Sequence, residues 1–217
     1  MGIKKYKFNQ DFFNYDSEEL WYFYGFIASD GYVADDRISL TLNENDVDVL
    51  INFRDLICPD RPLVKKEKVS ALTLNIFDKN ICKHIKNIFG MSSNKKSKEI
   101  QFPKNIPENY VKDFIRGVID GDGCIDTTKA YQKNKVYVGA RLRILGRERF
   151  LRELNEISKK FVQHNTNSVL QKGKEDVFCV TYNFSTAVKL LNWIYKDNSI
   201  SLDRKNKKYL EVINLKR

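Results

Sequence analysis

Two aspartates carry the clearest chemical signal in this 217-residue chain. Asp30 lies near the end of the stretch FYGFIASDG (residues 23–31), and Asp122 near the end of IRGVIDGDG (residues 115–123). Both stretches run Gly, two apolar residues, two variable positions, then Asp-Gly, and they stand 92 residues apart. Each reads as the end of an apolar helix, where the helix dipole is already negative. If the two helices pack side by side, two carboxylates and two negative helix ends meet, which is unfavourable unless something positive joins them. A lysine can serve, and so can a hard divalent cation; Mg²⁺ commonly takes one or two carboxylates together with phosphate oxygens. An acidic point in a basic chain, flanked by basic sheet faces, is what metal-assisted phosphodiester cleavage requires. The run DGDGCID (residues 120–126) also looks like a calcium loop. With Asp122 at the fifth position, however, the first and twelfth positions are Val118 and Lys129, so that motif fails.

The elements that must position these acids repeat with them. After each Asp-Gly comes a strand of period two. Ile38, Leu40 and Leu42 oppose Arg37, Ser39 and Thr41; in the second copy Val136, Val138, Ala140, Leu142 and Ile144 oppose Tyr137, Gly139, Arg141 and Arg143. A helix pattern follows in each, through Leu50 and Phe53 and through Leu151 and Leu154. Next come second strands, with Leu72, Leu74 and Ile76 opposing Thr73 and Asn75, then Phe178, Val180, Tyr182 and Phe184 opposing Thr181 and Asn183. A further helix and a Lys-rich segment (residues 94–98 and 203–208) close each copy. The chain therefore reads as α+β, two tandem αββαββα repeats over residues 1–101 and 102–217, joined where Pro103 and Pro107 interrupt the pattern. The second copy is expected to carry a longer loop from Thr127 to Lys135.

Local signals set the helix ends. Asp16 is the expected cap of the first motif helix, with Glu19 at its third position, and Pro107 opens the second. Gly31 and Gly123 fit left-handed C-terminal caps. Gly25 and Gly117 sit inside the helices, where glycine costs about 1 kcal/mol against alanine. Two at matching places imply a shared reason, the close approach of two backbones.

Composition bounds the partners. Lys and Arg number 38 against 28 Asp and Glu, a net charge of +10, and the basic residues recur in short groups beside strand patterns, which points to a polyanion. Hydrophobic residues at 42% supply a packed core, and no apolar run is long enough for a membrane span. The N-terminus lacks an apolar stretch of signal-peptide length, so a protein that is not secreted, either cytoplasmic (bacterial or phage-encoded) or organellar, is expected. Cys58, Cys82, Cys124 and Cys179 form no C-x-x-C pair, which argues against a structural zinc and a disulfide framework and for buried thiols. His84 and His164 fall in helical patterns and are expected to be packed or at the surface, not to act as a base.

Two Gly-apolar-apolar-x-x-Asp-Gly helices, each followed by the same order of strands and helices, resemble the LAGLIDADG homing endonucleases in their single-chain, two-repeat form. The resemblance covers about residues 17–210. It implies a monomer with a pseudo-twofold axis, the motif helices at its centre and two antiparallel sheets forming a saddle over double-stranded DNA. It also implies an enzyme that cuts both strands of a long asymmetric site with Mg²⁺, whose place Mn²⁺ or Ca²⁺ can take, and an intron-encoded origin. Carried over by residue, Asp30 and Asp122 hold metal, with the backbone carbonyls of Ser29 and Gly121 as further ligands. Lys96 and Lys205, in matching places after the last helix of each repeat, are the basic catalytic residues. The first motif departs from the second in having Ala28 where Asp120 stands; that position supports helix ends, and the departure leaves the halves unequal, so that one strand is cut faster. The alternative is an intron RNA maturase or a non-cleaving DNA-binding regulator of the same fold.

Base reading is then expected from the polar strand faces: Arg141 and Arg143 to guanine, Asn75 and Asn183 to adenine, helped by Arg37, Ser39, Thr41, Thr73, Tyr137 and Thr181. The loop lysines Lys65, Lys66, Lys133, Lys135, Lys172 and Lys174 suit phosphates, which position without specifying.

Overall fold

The computed structural model describes residues 6–67, 69–94, 96–132, 135–164, 171–172 and 177–215, with the backbone alone for residues 97, 129–132, 135–137 and 171–172. Helix α1 (Glu18–Ser29) begins at Ser17, which has the extended φ of −146° and ψ of 165° that a cap needs; its Oγ accepts from the Leu20 N–H at 3.1 Å. Asp16, the expected cap, instead accepts from the Trp21 indole N–H at 2.8 Å. Helix α5 (Val111–Asp122) is entered through a 3₁₀ turn at Glu108–Tyr110, so Pro107 stands ahead of that turn and does not open the helix itself.

The other elements follow the repeat. The first copy continues with β1 (Gly31–Val33), β2 (Ile38–Asn43), α2 (Val47–Ile57), β3 (Val64–Lys65), β4 (Ala71–Ile76), α3 (Lys79–Ile88) and the short α4 (Lys96–Glu99). The second has β5 (Gly123–Gln132), β6 (Lys135–Gly146), α6 (Glu148–Val162), β7 (Gln171–Lys172), β8 (Phe178–Asn183), α7 (Phe184–Tyr195) and α8 (Asp203–Ile213). Each copy makes a four-stranded antiparallel sheet, in the orders β1-β2-β4-β3 and β5-β6-β8-β7. The loop expected from Thr127 to Lys135 is mostly strand: β5 runs on to Gln132 and pairs with β6 from Lys135. Threonine and tyrosine in that stretch favour an extended ribbon.

Burial follows the period-two reading. Ile38, Leu40, Leu74 and Ile76 in the first sheet, and Leu142, Ile144, Val180 and Tyr182 in the second, are closed to solvent and join one core with Leu50, Phe53, Leu151, Leu154 and Leu190 from the helices. Of the thiols, Cys58 and Cys82 are buried, Cys179 is half-buried and Cys124 is exposed, which corrects the expectation of four buried cysteines. Cys124 lies on the outward face of β5, opposite Arg143. Among the described residues no helix is long and apolar enough to cross a membrane.

Helices α1 and α5 touch backbone to backbone. A Cβ on Gly25 would lie 2.1 Å from the Phe114 carbonyl oxygen, and one on Gly117 would lie 2.2 Å from that of Tyr22. Gly25 and Gly117, like Tyr22 and Phe114, are 92 residues apart, so the two contacts are reciprocal, as a twofold axis between the helices demands. Gly31 and Gly123 serve a different purpose from the expected left-handed caps. Neither has positive φ; each opens a strand so close to the last turn of its helix that a Cβ would meet Ile27 Cα at 2.7 Å or Ile119 O at 2.5 Å.

A buried charge locks the pair from one side. Arg116, wholly enclosed, donates to Glu18 at 2.7 Å, to Asp113 at 2.8 Å, and to the carbonyls of Ile194 and Ile200, both at 2.9 Å. Glu18 belongs to the first repeat and the other partners to the second.

Replacing Gly117 by Ala must push the helices apart or bend one of them. We expect Gly117→Ala to lower unfolding stability by about 3 kcal/mol, the upper part of the usual range for overpacking, measured as the shift in urea midpoint at constant slope.

Candidate functional site

The helix contact sets the site. Where α1 and α5 end, Ser29 and Gly121 face each other: a Cβ on Gly121 would lie 2.0 Å from Ser29 Oγ and 2.9 Å from Asp30 Oδ2. Asp30 caps the C-terminus of α1 and Asp122 is the last residue of α5, so both motif acids come to one spot, as expected. Both reach solvent on one side, while the packed helix ends keep water from the other. That desolvation raises both carboxyls; the neighbouring Asp30 charge adds to it at Asp122, which is pushed up to about 6. The two carboxyls sit close enough to release their protons as a coupled pair.

Two lysines offset the converging negative ends. Lys96 Nζ donates to the carbonyls of Ile27 at 3.0 Å and Ser29 at 2.5 Å. Burial lowers its pKa to about 8, against the pull of Asp122 and Asp30. Lys205, almost enclosed, donates to the Gly123 carbonyl, and burial lowers it as well. Both lysines are therefore at the acid pair, Lys96 on last-turn carbonyls of α1 and Lys205 on the carbonyl just past the end of α5. The Ser29 carbonyl, expected as a metal ligand, is already the acceptor of Lys96; the Gly121 residue lies at the same meeting point.

Asp120 has the supporting role expected of it. Fully buried, it accepts from Tyr22 at 2.7 Å, from the Tyr195 hydroxyl and from the Leu202 N–H at 2.8 Å, so it fixes the start of α8, which carries Lys205. In the first repeat Ala28 offers no such anchor. There Glu99 accepts from the backbone N–H groups of Ser92 and Ser93 at 2.7 and 2.9 Å and ties down the loop before Lys96. Arg204 is a neighbour that residue types alone did not single out. Its guanidinium pairs with Asp46 of the first repeat at 2.9 Å and pulls the Asp30 pKa down. The basic run 203–208 was its only signal.

The two polar sheet faces flank the acids. On the first, Ser39 Oγ donates to Asn75 Oδ1 at 2.7 Å, and Thr41 and Thr73 share a hydrogen bond of 2.9 Å. Thr73 is nearly closed off, so it orients Thr41 and does not itself present a group, a correction to its expected role. Arg37 lies 6.0 Å from the rings of both Tyr32 and Phe77, two exposed aromatics. Lys65, exposed, pairs with Glu44 at 2.9 Å, and Lys66 is exposed. On the second face Arg141, Arg143, Thr181 and Asn183 share one side, in register. Lys133 and Lys174 lie outside the described residues, as do the side chains of Lys135, Tyr137 and Lys172. His84 bonds the Tyr24 hydroxyl at 3.2 Å; His164 is buried beyond the end of α6, not within it. A cavity of about 470 Å³ beside Trp21, Tyr24 and His84 contains none of the expected site residues.

No protein-family model matches the chain, and no curated protein does. Solved structures match in three dimensions. The I-SmaMI LAGLIDADG homing endonuclease bound to cleaved DNA aligns with a TM-score of 0.61 and 12% identity over 92% of this chain and 88% of that one. I-SmaMI bound to uncleaved DNA in the presence of calcium ions gives 0.62 and 11% over 92% and 90%. The I-LtrWI LAGLIDADG homing endonuclease bound to target DNA gives 0.57 and 13% over 90% and 88%. The chain has the fold of these proteins: α+β, with paired motif helices between two antiparallel sheets.

The raised carboxyls of the acid pair work against folding at neutral pH. A carboxyl whose folded pKa is raised destabilises the folded state above that pKa, and the penalty fades as pH falls toward the unfolded value. In cation-free buffer Asp122→Asn should melt above the wild-type protein at pH 7.5, and the gap should close as pH falls below about 6. Thermal unfolding of both proteins across that range checks it.

Proposed function

We propose that this protein is a site-specific double-strand DNA endonuclease, a monomeric homing endonuclease that hydrolyses phosphodiesters with a divalent cation. One observation carries the reading: Asp30 and Asp122, from two halves of one chain, meet at converging helix ends between two polar sheet faces. The DNA-bound states of I-SmaMI and I-LtrWI support double-stranded DNA as the partner, and the calcium-containing state supports a hard cation.

The donor set fits such an ion. Among the described residues no three His, Cys, Asp or Glu side chains gather into a metal cluster, so the protein offers two carboxylates and helix-end carbonyls, all hard oxygens. Such a sparse set suits Mg²⁺, which keeps water and phosphate in its shell. When bound, the cation stabilises charge on the attacking and leaving oxygens. Asp30 and Asp122 would hold it, with the Gly121 carbonyl, and that of Ser29 beside its bond to Lys96, as further oxygen donors. Lys96 and Lys205 hold the helix ends in place and set positive charge beside the scissile phosphates. Neither histidine is placed to act as a general base, since His84 and His164 are both engaged away from the acids. A single chain supplies both halves, so the active unit needs no second copy. The strand served by the Asp120-anchored lysine and the one served by Lys96 meet different supports, and we infer that they are cut at different rates.

The test is cutting of a randomised duplex library with Mg²⁺. We expect double-strand products from the wild type, and a loss of about 10²-fold or more in Asp122→Asn with DNA binding retained. Undiminished cutting by the variant refutes the role given to that carboxylate. Wild-type binding without cutting favours a regulator, and retention of intron RNA in preference to DNA favours a maturase. Raising salt should weaken DNA binding with a log–log slope that falls by about one when Lys65 or Lys66 is replaced by Ala.

A further inference from the structure

Four side chains on the outward face of the second sheet are tied together next to the acid pair. In the β5–β6 register Cys124 stands opposite Arg143 and Asp126 opposite Arg141. Arg143 Nη2 donates to Asp126 Oδ2 at 2.5 Å and reaches Cys124 Sγ at 3.6 Å, while the Cys124 thiol donates to Asp126 Oδ1 at 3.1 Å. Arg141 Nη2 lies 4.0 Å from the same Asp126 oxygen. The Nε of Arg143 is shut off from solvent and makes no hydrogen bond. The guanidinium is thus held at Nη2 and enclosed around Nε.

An arginine fixed in this way has given up its rotamer freedom before any ligand arrives, which lowers the cost of binding and narrows what it can bind. Asp126 would by itself repel phosphates. With two arginines on it the cluster stays positive, and Arg143 retains donors that Asp126 and Cys124, both on Nη2, do not engage.

The first sheet has different chemistry at the matching register. Tyr32, Ser39 and Asn75 take the places of Cys124, Arg143 and Thr181, and Ala34 stands where Asp126 does in the second copy. There the Ser39 hydroxyl donates to Asn75 Oδ1 at 2.7 Å and fixes the plane of that amide. An oriented asparagine matches the N6 and N7 edge of adenine, while a guanidinium matches O6 and N7 of guanine.

We propose that Asp126 is a positioning residue that aims Arg143 at a guanine just outside the cutting centre on the second-half side, and that the mirror position under the first sheet is an adenine read by Asn75. This inference rests on the DNA-cutting function proposed above and adds to it a base at each of two mirrored places. The test is sequencing of the bound and cut products of a randomised library for the wild type, Asp126→Ala and Asp126→Asn. The wild type is expected to prefer G at one inner position and A at its mirror, each by about ten- to hundredfold. In Asp126→Ala the G preference should collapse at that position alone. Asp126→Asn, which keeps the shape and one acceptor, should retain part of it. Cutting with the same base profile in Asp126→Ala, a loss spread over the whole site, or one base at both mirrored positions in the wild type overturns this inference and leaves the endonuclease standing. Absence of both binding and cutting by the wild type overturns both.

Discussion

The contact between α1 and α5 at Gly25 and Gly117 is the constraint on which the rest depends. Two backbones that touch cannot leave their ends apart, so the C-termini of both helices, each with an aspartate, are forced into one place. Everything nearby answers that concentration of negative charge. Lys96 and Lys205 are drawn in far enough to lose most of their hydration, and burial lowers both their pKa values. The Asp122 proton becomes easier to keep than that of an ordinary carboxyl. Stability is spent where chemistry needs it, a common arrangement at functional sites.

The twofold relation is close in the backbone and loose in the side chains. Asp120, with three donors, matches Ala28; Arg116, with its buried ring of partners, matches Tyr24, whose hydroxyl meets His84. Lys96 holds carbonyls of Ile27 and Ser29, whereas Lys205 holds that of Gly123. The repeats thus share a frame but reach it through different bonds. For the DNA-cutting function proposed above, that difference suits an asymmetric target better than a palindrome, because mirrored positions would meet unlike groups.

Much of this was legible in the residues. Period two placed the two strand faces, the interior glycines foretold the helix contact, and the paired Asp-Gly ends located the acids. What stayed hidden depended on distance or on competition between near neighbours. Asp16 and Ser17 both suit a cap, and the contest was settled by the Trp21 indole, which took the aspartate. Gly31 and Gly123 suggested left-handed turns, because a pattern does not say whether glycine is needed for its dihedral or for lack of a side chain. The Thr127–Lys135 segment read as loop since nothing local reveals that a hairpin will continue. Asp126, Glu99 and Arg204 act through partners brought together only by the fold, and no spacing rule announces them.

Arg116 sets an order on how the chain comes together. Its neighbour Glu18, at the start of the first repeat, also accepts from the Ser199 N–H at 2.7 Å, across 181 residues. A chain emerging from the ribosome has Glu18 and Asp113 in hand early, but it cannot close that ring until the Ile194 and Ile200 carbonyls have been made. Separately made halves would leave the ring open. Such long-range closure slows folding, and leaving the buried ion short of a partner destabilises the fold. The consequence is that the two ends of the chain meet in one ring around the buried Arg116, Glu18 from the start and Ser199 from near the finish.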